Sequence, residues 1–584
     1  MAAQSPAGFV PYGRRTPREA RERHELKQQA AEYYRGNQVV QEMQKVLNSM
    51  FSQKPGDVFG HLGDYFSALA NPPSITRLVG KEVLDANSQA TVQVELLCTI
   101  RNFEKSICTA TLPSFCTALS PTSSDTGEAS NEKKYESARI ALEWINDPLN
   151  SMLTGILPDN QAQIDKQLSE YFKQKLEEYE EQKKNEPEPV VVEEHDVTPI
   201  PVVSSSLSKK KKALKRKKSV AVEKPITPFE PPELVLPGSV AFGAVSLVFA
   251  KTVAKLKNIP LYMYMSTMNQ QESPKEMRIP IPMISLFNCG ISSGGKLCLI
   301  KEMIGVPKPG LSFKQGLKMM IDLHQKILML SIPPQRNLRE VLSSAGCVLK
   351  ACDRLEQPFE IIEEACTALE LTLGEDFHLI INCAAHELMD YTKEKYEIMS
   401  GVLKHPDEMM EVYENLIAKY PSIIGLIDPL RKEDVEQWIS LCSAFSSQCY
   451  LIADVASKSM VKLTAEQNLN GVNSTCLVLK YANQCTLTDL TEVTKVIEEQ
   501  DRRFIIGCTE GETADDSLAD IAVALGASLI KLGGLHHGER VAKYNRLLAI
   551  EEELAHRGAL GRVSKHQFPV VAKEIPEPEA EPES

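Results

Sequence analysis

Short β-rich runs alternate with amphipathic helical patterns from Ile279 to Leu554, and this alternation limits the fold more than any other feature of the chain. The β-rich runs are HLIIN near 378, SIIGLI near 422, CYLIAD near 449, TCLVLK near 475, RFIIGC near 503 and SLIKL near 528. A regular order of strand and helix predicts a parallel sheet, and repetition of the unit favours its closure into a barrel. We therefore predict an α/β fold built on a (β/α) barrel.

Polar side chains stand at the points where these predicted strands end. In a parallel barrel the carboxyl ends of the strands share one rim, where the chemistry of such proteins is located. Carboxylates and lysines on one rim suit an anionic substrate together with a metal ion. The pattern alone is equally compatible with salt bridges that only close the end of the barrel. The predicted rim residues are Asn382, Asp428, Asp454, Lys480, Cys508 and Lys531.

The composition argues against several classes of function. A formal net charge of −13 disfavours nonspecific nucleic-acid binding by the whole chain. The sequence contains no run of 18 or more apolar residues and no secretory signal pattern, so we expect a soluble, unsecreted protein that binds neither membrane nor nucleic acid. The 14 cysteines are scattered through apolar runs, and no CxxC pair has a matching second pair. This favours buried, reduced thiols over disulfides.

Residues 1–72 are predicted to be helical, with an apolar stripe that includes Val39, Met43 and Met50 and with a break at Lys54-Pro55-Gly56-Asp57. Two short amphipathic helices cannot bury both of their apolar faces alone, which indicates dimerisation. Residues 73–182 are expected to form a compact domain, in which residues 90–97 alternate like a strand.

Residues 183–237 are rich in Pro, Glu, Ser and Lys, and offer few large apolar side chains to offset the entropy of ordering. We predict a disordered insert. Within it, Lys209–Lys218 holds eight basic residues in ten, a pattern shared by nuclear or anionic-surface signals and by solvated loops. Residues 561–584 form an acidic, Pro-rich tail.

The segment GETADDSLADIAVALGASLIKLGGLHHGERVAKYNRLLAIEEEL, residues 511–554, closely resembles the C-terminal signature of the enolase family. Further matches agree in order and spacing: SITRLVGKEVLDANSQATVQVEL (74–96), AVSLVFAKTVAKLKNIPLY (244–262), KYPSIIGLIDPL (419–430) and LVLKYANQCTL (477–487). The resemblance implies an enolase-type (β/α)8 barrel at residues 263–560, preceded by an α+β capping domain made of residues 73–182 and 238–262. The N-terminal extension and the basic insert resemble the divergent sperm-type branch of the vertebrate enolases.

The resemblance implies a dimeric, Mg²⁺-dependent lyase of the cytoplasm that dehydrates 2-phosphoglycerate to phosphoenolpyruvate in glycolysis. In this family a lysine removes the proton next to the substrate carboxylate, and Mg²⁺ stabilises the resulting ene-diolate. Lys301 falls on a substrate-binding glutamate of the family, and Glu302 is reached by a one-residue slip. The residues carried over are Lys480 as proton acceptor, Glu302 and Lys531 as substrate-binding residues, and Asp454 and, weakly, Asn382 as metal ligands.

Other positions depart from the family pattern. A metal glutamate falls on Ile427, the leaving-group acid on Val348 and a site histidine on Cys508. The phosphate-binding Arg-Ser becomes Thr509-Glu510, and the capping loop reads SFCTA from Ser114, without its glycine. Two hypotheses follow: a weak enolase tethered where glycolysis is needed, and an inactive enolase scaffold that pairs with active enolases.

The N-terminal segment AEYYRGNQVVQEMQKVLNSMFSQKPGDVFGHLGDYFSAL, residues 31–69, resembles the docking modules of RIIα and Dpy-30. In those modules two helix–turn–helix chains form a four-helix bundle that binds an amphipathic helix. The resemblance implies such an anchoring partner for residues 17–72, besides a homodimer or a heterodimer with other enolases. Association with the cytoskeleton or a flagellum is the corresponding localisation.

Overall fold

The computed structural model describes residues 17–113, 127–185, 226–230, 233–269, 274–331, 342–457, 460, 462–463, 474–481, 485–509 and 511–568. The chain divides into two compact units, residues 1–73 together with 99–103, and residues 74–98 together with 104–584. The capping loop from Ser114, the basic cluster at 209–218, Glu510 and the end of the acidic tail lie outside the described residues.

The first unit contains three described helices, one more than the sequence pattern predicts: α1 (Pro17–Gly36), α2 (Val39–Gln53) and α3 (Val58–Leu69). The predicted break at 54–57 lies between α2 and α3. Lys54 ends α2 in the left-handed region, with φ of 49°, and the Asp57 side chain caps α3 by accepting a hydrogen bond from the Gly60 amide at 2.8 Å. Tyr65 Oη donates to Glu42 Oε2 at 2.8 Å and so links α3 to α2.

The capping domain begins with a three-stranded sheet of order β1-β2-β3. The interior positions of its middle strand, including Val92, Val94 and Leu96, are fully buried, in agreement with the predicted alternation. A π-helical turn, Ile145–Leu149, contains Pro148 and leads into a short helix. The elements are β1 (Ser74–Leu84), β2 (Ala90–Ile100), β3 (Phe103–Thr111), α4 (Gly127–Trp144), α5 (Asn150–Leu153), α6 (Gln161–Asn185), α7 (Val240–Leu256) and α8 (Leu261–Asn269).

The remaining strands of the described chain are β4 (Met277–Arg278), β5 (Ile281–Asn288), β6 (Glu302–Pro307), β7 (Val348–Leu349), β8 (Phe377–Asn382), β9 (Met389–Asp390), β10 (Lys395–Met399), β11 (Val402–Lys404), β12 (Ile423–Ile427), β13 (Tyr450–Ala453), β14 (Cys476–Leu479), β15 (Arg503–Gly507), β16 (Leu529–Gly533) and β17 (Leu560–Gly561). The helices among them are α9 (Phe313–Ser331), α10 (Gln357–Leu369), α11 (Pro406–Lys419), α12 (Val435–Phe445), α13 (Leu487–Glu499), α14 (Ser517–Ala524) and α15 (Gly538–His556).

Eight of these strands close into a barrel in the order β5-β6-β8-β12-β13-β14-β15-β16, and β16 pairs in parallel with β5 to complete it. The prediction of an α/β barrel is therefore confirmed. Fully buried apolar side chains, among them Met283, Ile304, Ile380 and Ile452, fill its interior.

One strand departs from the parallel pattern, because β6 pairs antiparallel with both β5 and β8. The β-rich runs that predicted the barrel begin after this strand, so the sequence pattern did not reveal its direction. The reversal brings the first residue of β6, Glu302, to the rim where the parallel strands end, and Glu302 is in register with Asn382 at the end of β8.

The described residues at the end of the predicted insert contact the barrel. Thr227 O accepts hydrogen bonds from both Nη atoms of Arg431 at 3.4 Å, and Glu230 Oε2 lies 2.9 Å from Lys432 Nζ. Arg431 is 1% exposed and Leu236 is 3% exposed. Residues 226–230 and 233–237 therefore contribute contacts that the low-complexity composition did not indicate. In the part of the chain that the structure describes, no helix is long and apolar enough to cross a lipid bilayer.

We expect deletion of residues 195–218 to leave the free energy of unfolding unchanged, and deletion extended from 195 through 237 to lower it by roughly 3 kcal/mol. The longer deletion removes the buried Leu236 and leaves the Arg431 guanidinium without its carbonyl partner. Urea unfolding followed by circular dichroism measures both variants. An equal loss of stability in the two variants would contradict this division of the insert.

Candidate active site

Five of the residues carried over from the family meet at one barrel rim through contacts between side chains. Lys480 Nζ lies 2.6 Å from Asp454 Oδ1, and Lys531 Nζ lies 3.1 Å from Asp454 Oδ2. Lys531 Nζ also lies 3.9 Å from Glu302 Oε2, which accepts a hydrogen bond from Asn382 Nδ2 at 3.1 Å. The side chains therefore form one chain of alternating charge that joins β14, β13, β16, β6 and β8.

Burial and opposite charge compete at each of these groups. Burial disfavours the charged form of Asp454, but the two lysines outweigh it and hold the pKa of this carboxyl well below its usual range. Burial likewise opposes the charge of Lys531, yet Asp454 and Glu302 raise its pKa above the usual value. Asp454 and Lys531 are thus charged at neutral pH, as partners in a compensated set of charges.

Glu302 faces the barrel interior, and Lys301 does not. The Ser285 hydroxyl donates a hydrogen bond to Glu302 Oε1. Burial raises the pKa of Glu302, but Lys531, Ser285 and Asn382 together lower it by more, so the pKa lies below its ordinary value. Lys301 Nζ instead lies 2.6 Å from Glu387 Oε1 at the edge of the rim. The geometry therefore supports the one-residue slip that assigns the inward position to Glu302.

Asp428 is at the rim, as predicted, but its carboxylate is engaged by the backbone. It accepts hydrogen bonds from the amides of Asp454 at 2.8 Å, Val455 at 2.8 Å and Ala456 at 3.1 Å. Burial and the charge of Asp454 raise the pKa of Asp428 against these hydrogen bonds. Its φ of 44° is a left-handed conformation that sequence reasoning gave no signal for. Asp428 therefore shapes the turn that presents Asp454.

The segment after Lys480 is fixed to the capping domain. Tyr481 Oη donates to Gly243 O at 2.8 Å. At the start of α13, Leu487 N donates to Ser246 Oγ at 3.0 Å and Thr488 N donates to Asp165 Oδ2 at 3.0 Å. Burial raises the pKa of Asp165 to about 6, against hydrogen bonds from its partners. Contacts from α6 and α7 thus position the strand end that carries Lys480.

Three positions that were expected to depart from the family pattern are apolar or turned away from the charged rim. Ile427 is in register with Asn382 and belongs to the buried barrel core. Val348 is fully buried in β7, opposite Phe287. Cys508, which we expected among the inward-facing rim residues, directs its thiol to Glu512 Oε2 at 3.5 Å. Side chains alternate along a strand, and Ile505 points inward, so Cys508 points outward toward the helices.

These donors do not fit a strong Mg²⁺ site. Within the described residues, no group of three or more His, Cys, Asp or Glu side chains could hold a metal ion. Asp454 is already neutralised by two ammonium groups, and Ile427 offers no oxygen. Asn382 offers only its Oδ1, which is buried and has no hydrogen-bond partner. Mg²⁺ prefers an octahedral shell of oxygen ligands that includes carboxylates.

This barrel, with lysines, carboxylates and an antiparallel second strand at one rim, defines an enolase-type α/β protein. The family described as "Enolase, C-terminal TIM barrel domain" matches residues 276–567, and the chain belongs to the enolase family. Members of this family generally use Mg²⁺.

Relatives of similar length agree with this assignment. The Xenopus laevis protein named Enolase 4 is 44% identical over 568 residues, which covers 96% of this chain and 98% of the relative. Enolase 4 of Homo sapiens is 43% identical over 573 residues, which covers 94% of this chain and 91% of the relative. Enolase 4 of Danio rerio is 38% identical over 564 residues, with 96% of each chain covered. The predicted kinship with the divergent vertebrate branch is confirmed, whereas its sperm-type character stays a prediction.

Replacing Lys531 with Met should lower the free energy of unfolding by roughly 3–5 kcal/mol at pH 7, because it leaves the buried charges of Asp454 and Glu302 undercompensated. The depressed pKa of Asp454 contributes stability above about pH 4, its unfolded-state value, and this contribution is lost as the pH falls through the folded pKa. Without Lys531 both carboxyls protonate more readily. The deficit should therefore shrink between pH 7 and pH 4.5 in urea unfolding experiments.

Lys308→Met is the matched control, because Lys308 forms an ion pair of 3.1 Å with Asp376 at the surface. Exposed pairs of this kind contribute about 0–1 kcal/mol. A Lys531→Met deficit as small as that of Lys308→Met, or one that does not change with pH, would contradict the role given to the charge network.

Proposed function

We propose that the protein binds 2-phosphoglycerate and phosphoenolpyruvate at the barrel rim and catalyses the enolase reaction slowly, with Lys480 as the proton acceptor. The observation that carries this proposal is the meeting of Lys480 and Lys531 on opposite sides of Asp454. In the family pattern, one of these lysines removes the α-proton and the other binds the substrate carboxylate.

The same contacts limit the rate. Lys480 Nζ lies 2.6 Å from Asp454 Oδ1, so the side chain that would accept the α-proton is already engaged in an ion pair. An entering substrate carboxylate competes with Asp454 for the ammonium of Lys531. Substrate binding therefore requires rearrangement of the charge network before Lys480 can act.

Two steps of the reaction lack the side chains that would assist them. Val348 cannot protonate a leaving hydroxide, and the weakened donor set offers little stabilisation to the doubly charged ene-diolate. A loss of about 4 kcal/mol of transition-state stabilisation corresponds to a roughly 1000-fold slower reaction. We expect turnover to lie at least that far below the turnover of an enolase with a complete site.

Exchange of the C2 proton of 2-phosphoglycerate with solvent in D₂O, followed by NMR, isolates the step assigned to Lys480. We expect the unmodified protein to exchange the C2 proton slowly and to form phosphoenolpyruvate at a lower rate than it exchanges the proton. We expect neither process in Lys480→Ala. Exchange that persists in Lys480→Ala would refute the assignment of the base. Exchange by the unmodified protein no faster than by Lys480→Ala would favour the inactive scaffold.

Lys419→Ala is the control for loss of one lysine. Lys419 ends α11, on the side of the barrel that leads into the start of β12, and its Nζ lies 3.0 Å from Glu356 Oε1. The exchange rate of the Lys419→Ala variant should equal that of the unmodified protein.

The triple variant Asn382→Asp, Ile427→Glu, Val348→Glu should gain more Mg²⁺-dependent turnover than the sum of the gains of its three single variants, because metal and acid act in one transition state.

A second proposed function is assembly, favoured by an exposed apolar stripe on α2. Val40, Met43, Leu47 and Phe51 recur at helical spacing and are 63%, 48%, 52% and 80% exposed. Exposed apolar stripes of this kind are typical of helical interfaces. We propose that the N-terminal helices form a homodimer that binds an amphipathic anchoring helix. The enolase body would pair with a second enolase subunit in the cytoplasm, at the cytoskeleton or a flagellum.

We expect a fragment of residues 17–73 to be dimeric by light scattering and its Met43→Glu/Leu47→Glu variant to be monomeric, because two carboxylates cannot enter an apolar helical interface without partners. Gln41→Glu, which adds a charge at an exposed position of α2 about 100° around the helix from Val40, is the control and should remain dimeric. A Met43→Glu/Leu47→Glu variant that remains dimeric would count against this interface.

A further inference from the structure

Two cysteines lie side by side next to the barrel rim, at the ends of paired strands. Cys289 directly follows β5 and Cys352 lies three residues beyond β7, and they are 0% and 1% exposed. The two strands are parallel, with Asn288 in register with Leu349, and Lys350 N donates to Asn288 O at 2.8 Å. Cys289 is therefore opposite Lys350, two residues before Cys352, and a side-chain hydrogen bond links the two thiols.

The loop between Cys289 and Lys301 is held against both cysteines. Cys289 N donates to Lys301 O at 3.0 Å, and Cys289 Sγ lies 3.2 Å from Ile300 O. Leu297 N donates to Cys352 O at 2.9 Å. Gly295 packs so closely on Cys352 that a Cβ at position 295 would lie 2.3 Å from Cys352 O. These contacts fix the backbone around the two sulfurs.

The thiols also differ in their readiness to ionise. The hydrogen bond from Cys289 and the charge of Lys350 lower the pKa of Cys352, whereas burial raises the pKa of Cys289. A third thiol, Cys347, donates to Asn288 Oδ1 at 3.1 Å, and burial raises its pKa to about 12. Thiolates react with oxidants and thiols do not, so Cys352 is the reactive member of this group.

We propose that Cys289 and Cys352 are a redox site that forms a reversible disulfide when the protein meets hydrogen peroxide. The Cys352 thiolate attacks one peroxide oxygen, the O–O bond breaks, and Cys352 becomes a sulfenic acid with release of water. The Cys289 sulfur then attacks the sulfenic sulfur, the S–S bond forms, and a second water leaves. The two thiols together lose two electrons and two protons, and the peroxide gains them.

Burial explains why a small oxidant is required. Both sulfurs are inaccessible to a bulky disulfide reagent in the folded protein, whereas peroxide is little larger than water. The disulfide would tie the end of β5 to the segment after β7 and anchor the start of the loop that leads into Glu302. It would thereby immobilise one side of the rim, and its formation does not depend on whether the rim catalyses the enolase reaction.

Tryptic mapping of the full-length, peroxide-treated protein after alkylation tests the proposal, because the sequence places the three thiols in different peptides. Cys289 lies in residues 279–296, Cys347 in residues 340–350 and Cys352 in residues 351–354. We expect residues 279–296 linked to residues 351–354, with two hydrogens fewer than the free peptides. At least half of the protein should be linked at a peroxide concentration that leaves Cys442 unmodified, and dithiothreitol should reverse the link.

Cys352→Ser should abolish the link, and Cys298→Ser is the matched control. Cys298 lies in the same loop and is 8% exposed, more than either proposed partner. If Cys352→Ser does not fold, Cys352→Ala and the map of the unmodified protein still decide the matter. A link from residues 279–296 to residues 340–350 would overturn the pairing. Unlinked peptides at a peroxide concentration that oxidises Cys298 would overturn the redox site.

Discussion

The carboxylate of Asp454, held between the ammonium groups of Lys480 and Lys531, is the interaction on which the rim depends. Each of these charges would be costly to bury alone, and together with Glu302 they compensate one another. The contacts tie the ends of separate strands to one another. Any ligand that enters must replace some of them, so the stability of the barrel end and the function of the rim rest on the same atoms.

Much of this rim could be predicted, because the alternation of strands and helices fixes which residues lie at the strand ends. Asn382, Asp454, Lys480 and Lys531 meet as that argument requires. Three features could not be predicted. The direction of β6 depends on tertiary pairing, the outward direction of Cys508 depends on strand phase, and the capture of backbone amides by Asp428 depends on its left-handed conformation.

The N-terminal helices show a different limit of sequence reasoning. Helical periodicity identified the stripe of α2 and the turn before α3, because both arise from local structure. It did not separate apolar residues that are buried within the unit, such as Val46, from those that stay exposed, such as Met43. That distinction depends on how helices pack, and it is the exposed subset that bears on assembly.

Asn382 and Ile427, the uncharged residues at two rim positions where the family pattern has carboxylates, together keep the charges of the rim balanced. Carboxylates at positions 382 and 427 would add two negative charges to a set in which two lysines already balance Asp454 and Glu302, and a divalent cation would then be needed to compensate them. With Asn382 and Ile427 in these positions, the described network is balanced by its own ammonium groups. The absence of carboxylates at positions 382 and 427 therefore leaves no charge of this buried network unpaired. This is why the enolase fold can persist with a reduced site.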